Sequence, residues 1–260
     1  MIRFLFLGDI VGSYGRKAVQ KNIDSICAEL EIDCVMANVE NASGGMGITP
    51  KNAEQLHKVG VKVMTTGNHV WRHKEIYPFL DDNPWILRPA NYPEGAPGRG
   101  WGIYTIKGCN VAVINLQGRV FMDNIDCPFR CVELLLENIK KNASVIIVDF
   151  HAEATSEKKA MLFFLAGKVT AVLGTHTHVQ TNDAQVFENT GYITDVGMTG
   201  PYYSVIGMDP EVIINRFKTS LPQKFVVAKG VVSIQGVILE VDESSGKAIS
   251  ITPWQRILKK

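Results

Sequence analysis

Apolar and polar positions follow two periods along the first half of the chain. Residues 2–7, 34–37 and 61–65 are short apolar runs, the pattern of strands covered on both faces. Between the first two runs, Val19, Ile23, Ile26, Cys27 and Leu30 recur at helical spacing. Thr49 followed by Pro50 offers an N-cap and a first-turn proline, predicting a helix over 50–59; a shorter helix is expected over 74–80. Residues 84–100 are rich in Pro and Gly and predict an irregular loop. Residues 103–106 and 111–115 flank Lys107-Gly108-Cys109-Asn110 and predict a hairpin. Helices over 128–140 and 157–165 then lead into strands over 145–149 and 170–173. The last third is strand-like at 192–194, 226–228, 231–241 and 249–252, with a helix over 210–217. No repeat or linker interrupts this order. Early βαβ units and later antiparallel strands predict an α/β protein with two mixed sheets flanked by helices, a single domain over residues 1–260.

Composition narrows the function classes. The 260 residues carry 27 Lys+Arg against 26 Asp+Glu, a formal net charge of +1, so no dedicated nucleic-acid surface is expected. A hydrophobic share of 46% with 20% charged residues is globular rather than disordered. No apolar run approaches the roughly 18 residues of a membrane helix. The first apolar stretch is too short for a signal peptide and lacks a small-residue cleavage site. Cys27, Cys34, Cys109, Cys127 and Cys131 form no CxxC pair, which predicts free thiols, several of them buried, in a reducing cytoplasm. A symmetric homo-oligomer is expected on general grounds.

The informative residues lie at the strand ends. The apolar runs end in Gly8-Asp9, in Asn38-Val39-Glu40-Asn41, in Gly67-Asn68-His69, in Asp149-Phe150-His151, and in Gly174-Thr175-His176-Thr177-His178. In open α/β sheets ligands gather beyond the carboxyl ends of strands, so these segments can converge on one crevice. Each has an ordinary reading too: Asp9 as a helix cap, Glu40 and Asn41 as turn residues, Asn68-His69 as a closed turn, His151 as a satisfied histidine. His176 and His178, two apart in an extended segment, would share one face. Of six histidines, four lie at these termini. Carboxylate, amide and imidazole donors together suit Mn, Fe or Zn. Asp9, Glu40, Asn41, Asn68, His151, His176 and His178 exceed one tetrahedral shell and suit two ions sharing a carboxylate.

These residues resemble the calcineurin-like metallophosphoesterases: Gly67-Asn68-His69 matches the GNH element and Gly174–His178 is similar to the closing GHxH element. The first motif departs from Asp-x-His, reading Asp9-Ile10-Val11, and Glu40 stands where an aspartate is usual. With these departures GDIVG, NVENASGG, GNHVW, DFHAEATSEK, GTHTHVQT and GMTGP, in order from Gly8 to Pro201, resemble the YmdB-type bacterial metallophosphoesterases. The resemblance implies a calcineurin-like α/β sandwich, a binuclear centre of transition-metal ions (Fe or Mn, with Zn as a third candidate), and phosphodiesterase activity on 2′,3′-cyclic and also 3′,5′-cyclic nucleotides. It implies that Asp9, Glu40, Asn41 and His178 hold one ion, that Glu40 bridges to a second completed by Asn68, His151 and His176, and that His69 is catalytic. A hydroxide shared by ions ~3.5–4 Å apart would attack phosphorus. The ligand set would keep a small net positive charge, suited to a phosphodiester monoanion. If Asn68-His69 is extended, Asn68 faces the metal while His69 faces the leaving oxygen as proton donor.

Other readings compete. Gly8, Gly12 and Gly15 follow a strand and precede a helix, as a nucleotide-cofactor cradle would, although the spacing is not GxGxxG. A non-catalytic regulatory protein could keep the metals alone. Residues 197–201 and 43–45 offer backbone amides to a phosphate or are ordinary turns, and Trp71 or Tyr92 stacks on a base or packs internally.

Overall fold

Strands that are apolar on both faces need cover on both sides, and the chain provides it in four layers. The computed structural model describes residues 1–259. In chain order the elements are β1 (Ile2–Leu7), β2 (Asp9–Ile10), α1 (Gly12–Leu30), β3 (Cys34–Asn38), α2 (Pro50–Lys58), β4 (Val61–Thr65), a 3-10 turn (Val70–Arg72), α3 (Ile76–Asp82), β5 (Ile86–Leu87), β6 (Trp101–Ile106) and β7 (Cys109–Gln117). There follow α4 (Pro128–Ile139), β8 (Val145–His151), α5 (Thr155–Leu165), β9 (Ala171–Thr175), β10 (Gln185–Phe187), β11 (Thr190–Ile193), β12 (Met198–Pro201), α6 (Pro210–Thr219), β13 (Val232–Asp242) and β14 (Lys247–Leu258).

One sheet runs β2-β12-β13-β1-β3-β4-β5 with β14 on β13; the other runs β10-β11-β9-β8-β7-β6. Alternation along the strands builds three cores. Phe4 and Phe6 of β1 meet Val111 and Val113 of β7 and Val145 and Ile147 of β8 between the sheets. Leu5 and Leu7 point the other way, onto Val19, Ile23 and Ile26 of α1. Ile114, Ile146 and Val148 face Val132 of α4 and Leu162 of α5. This is the expected sandwich of two mixed sheets flanked by helices. β1, β3 and β4 run parallel in one sheet and β7, β8, β9 and β11 in the other. Among the described residues no helix is long and apolar enough to cross a membrane.

Local expectations fare unevenly. Thr49 caps α2 by accepting from the Asn52 N–H, with Pro50 in the first turn. The β6–β7 hairpin closes through Lys107 and Gly108 alone, both left-handed, so Cys109 and Asn110 belong to the strand. The loop over 84–100 contains β5, parallel to β4. Residues 226–228 are not a strand: Val227 makes one isolated bridge to Met208. β2, β10 and β12 were not expected; they are two to four residues long, too short for alternation to show. The five cysteines are free, and Cys34 alone among them is fully buried.

Candidate metal centre

Five parallel strands deliver the polar termini to one place. Asp9 follows β1 within β2, held by pairing of β2 with β12. It is not a helix cap, because Val11 occupies that position on α1 without a side-chain bond. Glu40 and Asn41 follow β3, Asn68 and His69 follow β4, His151 ends β8, and His176 and His178 follow β9. Asp9, Glu40 and His151 are fully buried, and Asn41 and His178 nearly so. Gly67 is required by this convergence: a Cβ there would lie 2.1 Å from the His151 ring.

Two clusters share Glu40. Around His151 Nε2 stand Glu40 Oε1 at 3.2 Å, Asn68 Oδ1 at 3.2 Å and His176 Nδ1 at 3.1 Å. The ligand atoms of Glu40, His151 and His176 all lie within 4.8 Å of one another. In the second cluster His178 Nε2 stands 3.5 Å from Asp9 Oδ1 and 3.1 Å from Asn41 Nδ2, and that amide donates to Glu40 Oε1 at 3.3 Å.

Each histidine is fixed by one ring nitrogen and offers the other inward. His151 Nδ1–H donates to the Thr175 hydroxyl at 2.8 Å, which donates to Asp149 at 2.7 Å. Asp149 is also held by the Thr65 hydroxyl and by the Asn38 amide at 3.2 Å. His178 Nδ1–H donates to the Ile206 carbonyl at 2.9 Å. His176 Nε2–H donates to Glu153 at 3.0 Å. Outer acceptors of this kind orient imidazoles toward a metal. Among the described residues nothing donates a hydrogen bond to the buried Asp9 Oδ1, whose nearest imidazole nitrogen, His178 Nε2, stays 3.5 Å away, so a cation would satisfy it better. The donor set and this oxygen fit divalent ions.

Titration follows the same geometry. Burial alone would raise the Glu40 carboxyl, but the His151 and His69 imidazoles outweigh it and hold its pKa well below the ordinary value. Asp9 is likewise lowered against burial, chiefly by His178. Burial would lower His178, yet Asp9 overrides it and raises the imidazole to about 9. Burial and neighbouring His151 push His176 down to about 3, so its contact with Glu153 is a hydrogen bond from a neutral ring. Burial raises Asp149 to about 6 despite its partners.

Neither the His176 and His178 pair nor Asn68-His69 lies in an extended strand. His176 and His178 both have positive φ, 95° and 63°, and share the site because a bend, not an extended strand, carries them. Asn68 and His69 lie in a turn entering the 3-10 segment, and His69 has φ −90° and ψ 0°. Its Nδ1 faces Asn41 Oδ1 at 2.7 Å and Glu40 Oε1 at 3.1 Å, and its N–H donates to Glu40 Oε2 at 2.9 Å. Left-handed residues other than glycine cost of order 1–3 kcal/mol each, and persist where neighbours fix them. Here Asp195 does so: its Oδ2 accepts the Thr177 N–H at 3.0 Å, the Thr177 hydroxyl at 2.6 Å and Lys158 Nζ at 3.0 Å. Lys158 and Asp195 are buried, and no sequence pattern links a single Lys and Asp 37 positions apart. Lys158→Met leaves Asp195 charged and unpaired, a loss of about 3–5 kcal/mol. Differential scanning calorimetry should show the unfolding midpoint fall by roughly 10 °C. Lys159→Met, which breaks a half-exposed pair with Asp183, should shift it far less.

The glycines offered as a nucleotide cradle have another use. A Cβ on Gly8 would lie 2.0 Å from the Gly197 carbonyl oxygen, and one on Gly15 would lie 2.2 Å from that of Thr199, so both admit β12 against β2 and α1. Residues 198–201 are buried sheet, and Ser43 Oγ accepts from the Thr49 N–H and the Asn52 amide, a closed turn. Trp71 packs edge-on against both Tyr77 and Tyr92. A cleft of about 580 Å³ opens over the clusters, lined by Glu40, Asn41, His69, His176 and His178 among others.

Comparison with known proteins gives concordant matches. The family model described as YmdB-like protein matches residues 5–254. A Bacillus subtilis protein named 2′,3′-cyclic-nucleotide 2′-phosphodiesterase is 46% identical over 258 residues, 99% of this chain and 97% of the relative. The crystal structure of a hypothetical protein from Thermus thermophilus superposes with a TM-score of 0.93 at 40% identity, covering 98% of this chain and 99% of that one. That of a novel phosphatase from Mycoplasma pneumoniae gives 0.92 at 34% identity, covering 98% and 93%.

Proposed function

The chain belongs to the YmdB-like protein family, and from that membership and the site we propose that it is a metal-dependent phosphodiesterase acting on 2′,3′-cyclic nucleotides, with 3′,5′-cyclic nucleotides as secondary substrates. The observation that carries this reading is the set of three histidines, each anchored outward by one nitrogen and aimed inward by the other, around two buried carboxylates. The name of the Bacillus relative supports the substrate class.

Asp9, Asn41 and His178 would hold one ion, Asn68, His151 and His176 the other, and Glu40 would serve both. Fe or Mn suits these donors, with Zn as a third candidate. When bound, two such ions supply Lewis-acid charge for the phosphoryl oxygens and an activated water. The chain supplies the rest. His69 lines the cleft with Nδ1 turned inward onto Asn41 and Glu40, which leaves Nε2 for the departing ribose oxygen. As the OH of a water adds to phosphorus and the P–O2′ bond breaks, O2′ takes its proton from His69, and the proton shed by the water restores His69, giving the nucleoside 3′-phosphate. A purely structural metal site needs no such donor. The five free thiols suit a reducing cytoplasm.

Metal-loaded protein incubated with 2′,3′-cyclic AMP should therefore yield 3′-AMP by chromatography; no turnover would contradict the reading. The pH dependence of metal uptake adds a second expectation. In the metal-free protein His178 titrates at about 9, above its unfolded value. Its ion pair with Asp9 stabilises the metal-free fold fully below pH ~6.5, and this is lost as pH rises through 9. A cation at this place must displace that proton, and despite burial Glu40 and Asp9 also raise His151, so affinity should climb by at least about tenfold per pH unit toward pH 9. Calorimetric titration in buffers of different ionisation enthalpy would show the proton released.

A further inference from the structure

The cleft over the metal ligands has two unlike sides. One is the polar cluster that handles phosphate. The other comes from α6 and the loops beside it, where Met208, Phe217 and Phe225 present apolar surface over Ile213, and Arg216 is the sole Lys or Arg of the lining among the described residues. Along α6 the same face passes from core to cleft: Ile213 is buried, whereas Phe217, one turn later, is 76% exposed. Phe225 is 36% exposed, and the Arg216 guanidinium lies 4.8 Å from its ring centre. Trp71 and Tyr92, the other aromatic candidates for stacking, are used up by their edge-on packing.

A 2′,3′-cyclic nucleotide has the same division: an anionic phosphate at one end and a flat aromatic base at the other. An exposed ring in a cleft forfeits burial that a stacked base would restore, and base–aromatic stacking tolerates any base because each has a π-face. We propose that Phe217 and Phe225, the latter braced by Arg216, form the base-binding subsite of this cleft. The proposal rests on the phosphodiesterase reading and adds to it the residues that select a nucleotide over a bare cyclic diester. The Arg216 guanidinium over Phe225 would also supply N–H donors to base carbonyl oxygens.

Steady-state kinetics of the wild type, Phe217→Ala and Phe217→Tyr on 2′,3′-cyclic AMP and on glycerol 1,2-cyclic phosphate, which has no base, test this. Phe217→Ala should raise KM for the nucleotide about tenfold. Its kcat should stay within about twofold, its kinetics on the glycerol diester should not change, and Phe217→Tyr should retain the wild-type KM. Because the side chain is exposed, the fold should survive the change. An equal effect on both substrates, or none on either, overturns the subsite. Wild type that uses both diesters equally well also overturns it while leaving the phosphodiesterase reading standing; wild type that hydrolyses neither overturns both. A changed sedimentation coefficient in Phe217→Ala with unchanged KM would assign the ring to contact with a second copy and likewise refute the subsite.

Discussion

Glu40→Gln should lower kcat/KM for 2′,3′-cyclic AMP by on the order of a thousandfold, the upper part of the range for losing one preorganised charge contact at a reacting centre. The substitution keeps the side-chain shape and removes the charge. Glu40 touches both clusters, 3.2 Å from His151 Nε2 and 3.3 Å from Asn41 Nδ2, and also anchors the His69 backbone N–H. Its carboxyl is held ionised by His151 and His69 despite full burial, so the glutamine loses an interaction present throughout the neutral range. Elemental analysis should show bound metal falling from about two ions per chain to one or fewer. Asp9→Asn, at the carboxylate whose Oδ1 faces His178 in the second cluster, should weaken mainly one ion. Unchanged metal content and rate in Glu40→Gln would mean that Glu40 is not shared.

His69→Ala should keep both ions and lower kcat on the cyclic nucleotide by about 10²–10⁴-fold, the usual worth of a positioned proton donor. The leaving group supplies the discriminating test. A ribose alkoxide needs a proton as it departs, whereas p-nitrophenolate is a weak base and leaves without one. The loss on bis-p-nitrophenyl phosphate should therefore be much smaller than on 2′,3′-cyclic AMP. Equal losses on both, or loss of metal, would show that His69 acts as a ligand or a brace through its contacts with Asn41 and Glu40.

Much of the scaffold was legible because burial on both faces leaves a plain mark. Apolar runs such as 2–7, 34–37 and 145–149 read as interior strands, and the structure puts the polar residues after them at the carboxyl ends of parallel strands. The convergence of Asp9, Glu40, Asn41, Asn68, His151, His176 and His178 follows from that topology. The local route was not legible. His176 and His178 meet through left-handed backbone held by Asp195 and Lys158, partners distant in sequence and marked by no periodicity. β2 and β12 are set by close backbone approach at Gly8 and Gly15, which the sequence presents equally well as a phosphate loop. The aromatic side of the cleft leaves no mark in the sequence, because Phe217 and Phe225 bracket a segment whose place beside Glu40 and the histidines only the tertiary fold reveals.

The decisive experiment is a stoichiometric one: metal-stripped protein titrated with Mn²⁺ or, anaerobically, Fe²⁺ while 2′,3′-cyclic AMP hydrolysis is followed. A two-ion site centred on Glu40 predicts no hydrolysis in the stripped protein and full activity only as occupancy approaches about two ions per chain. Undiminished hydrolysis without metal, or complete loading with no hydrolysis, would contradict it.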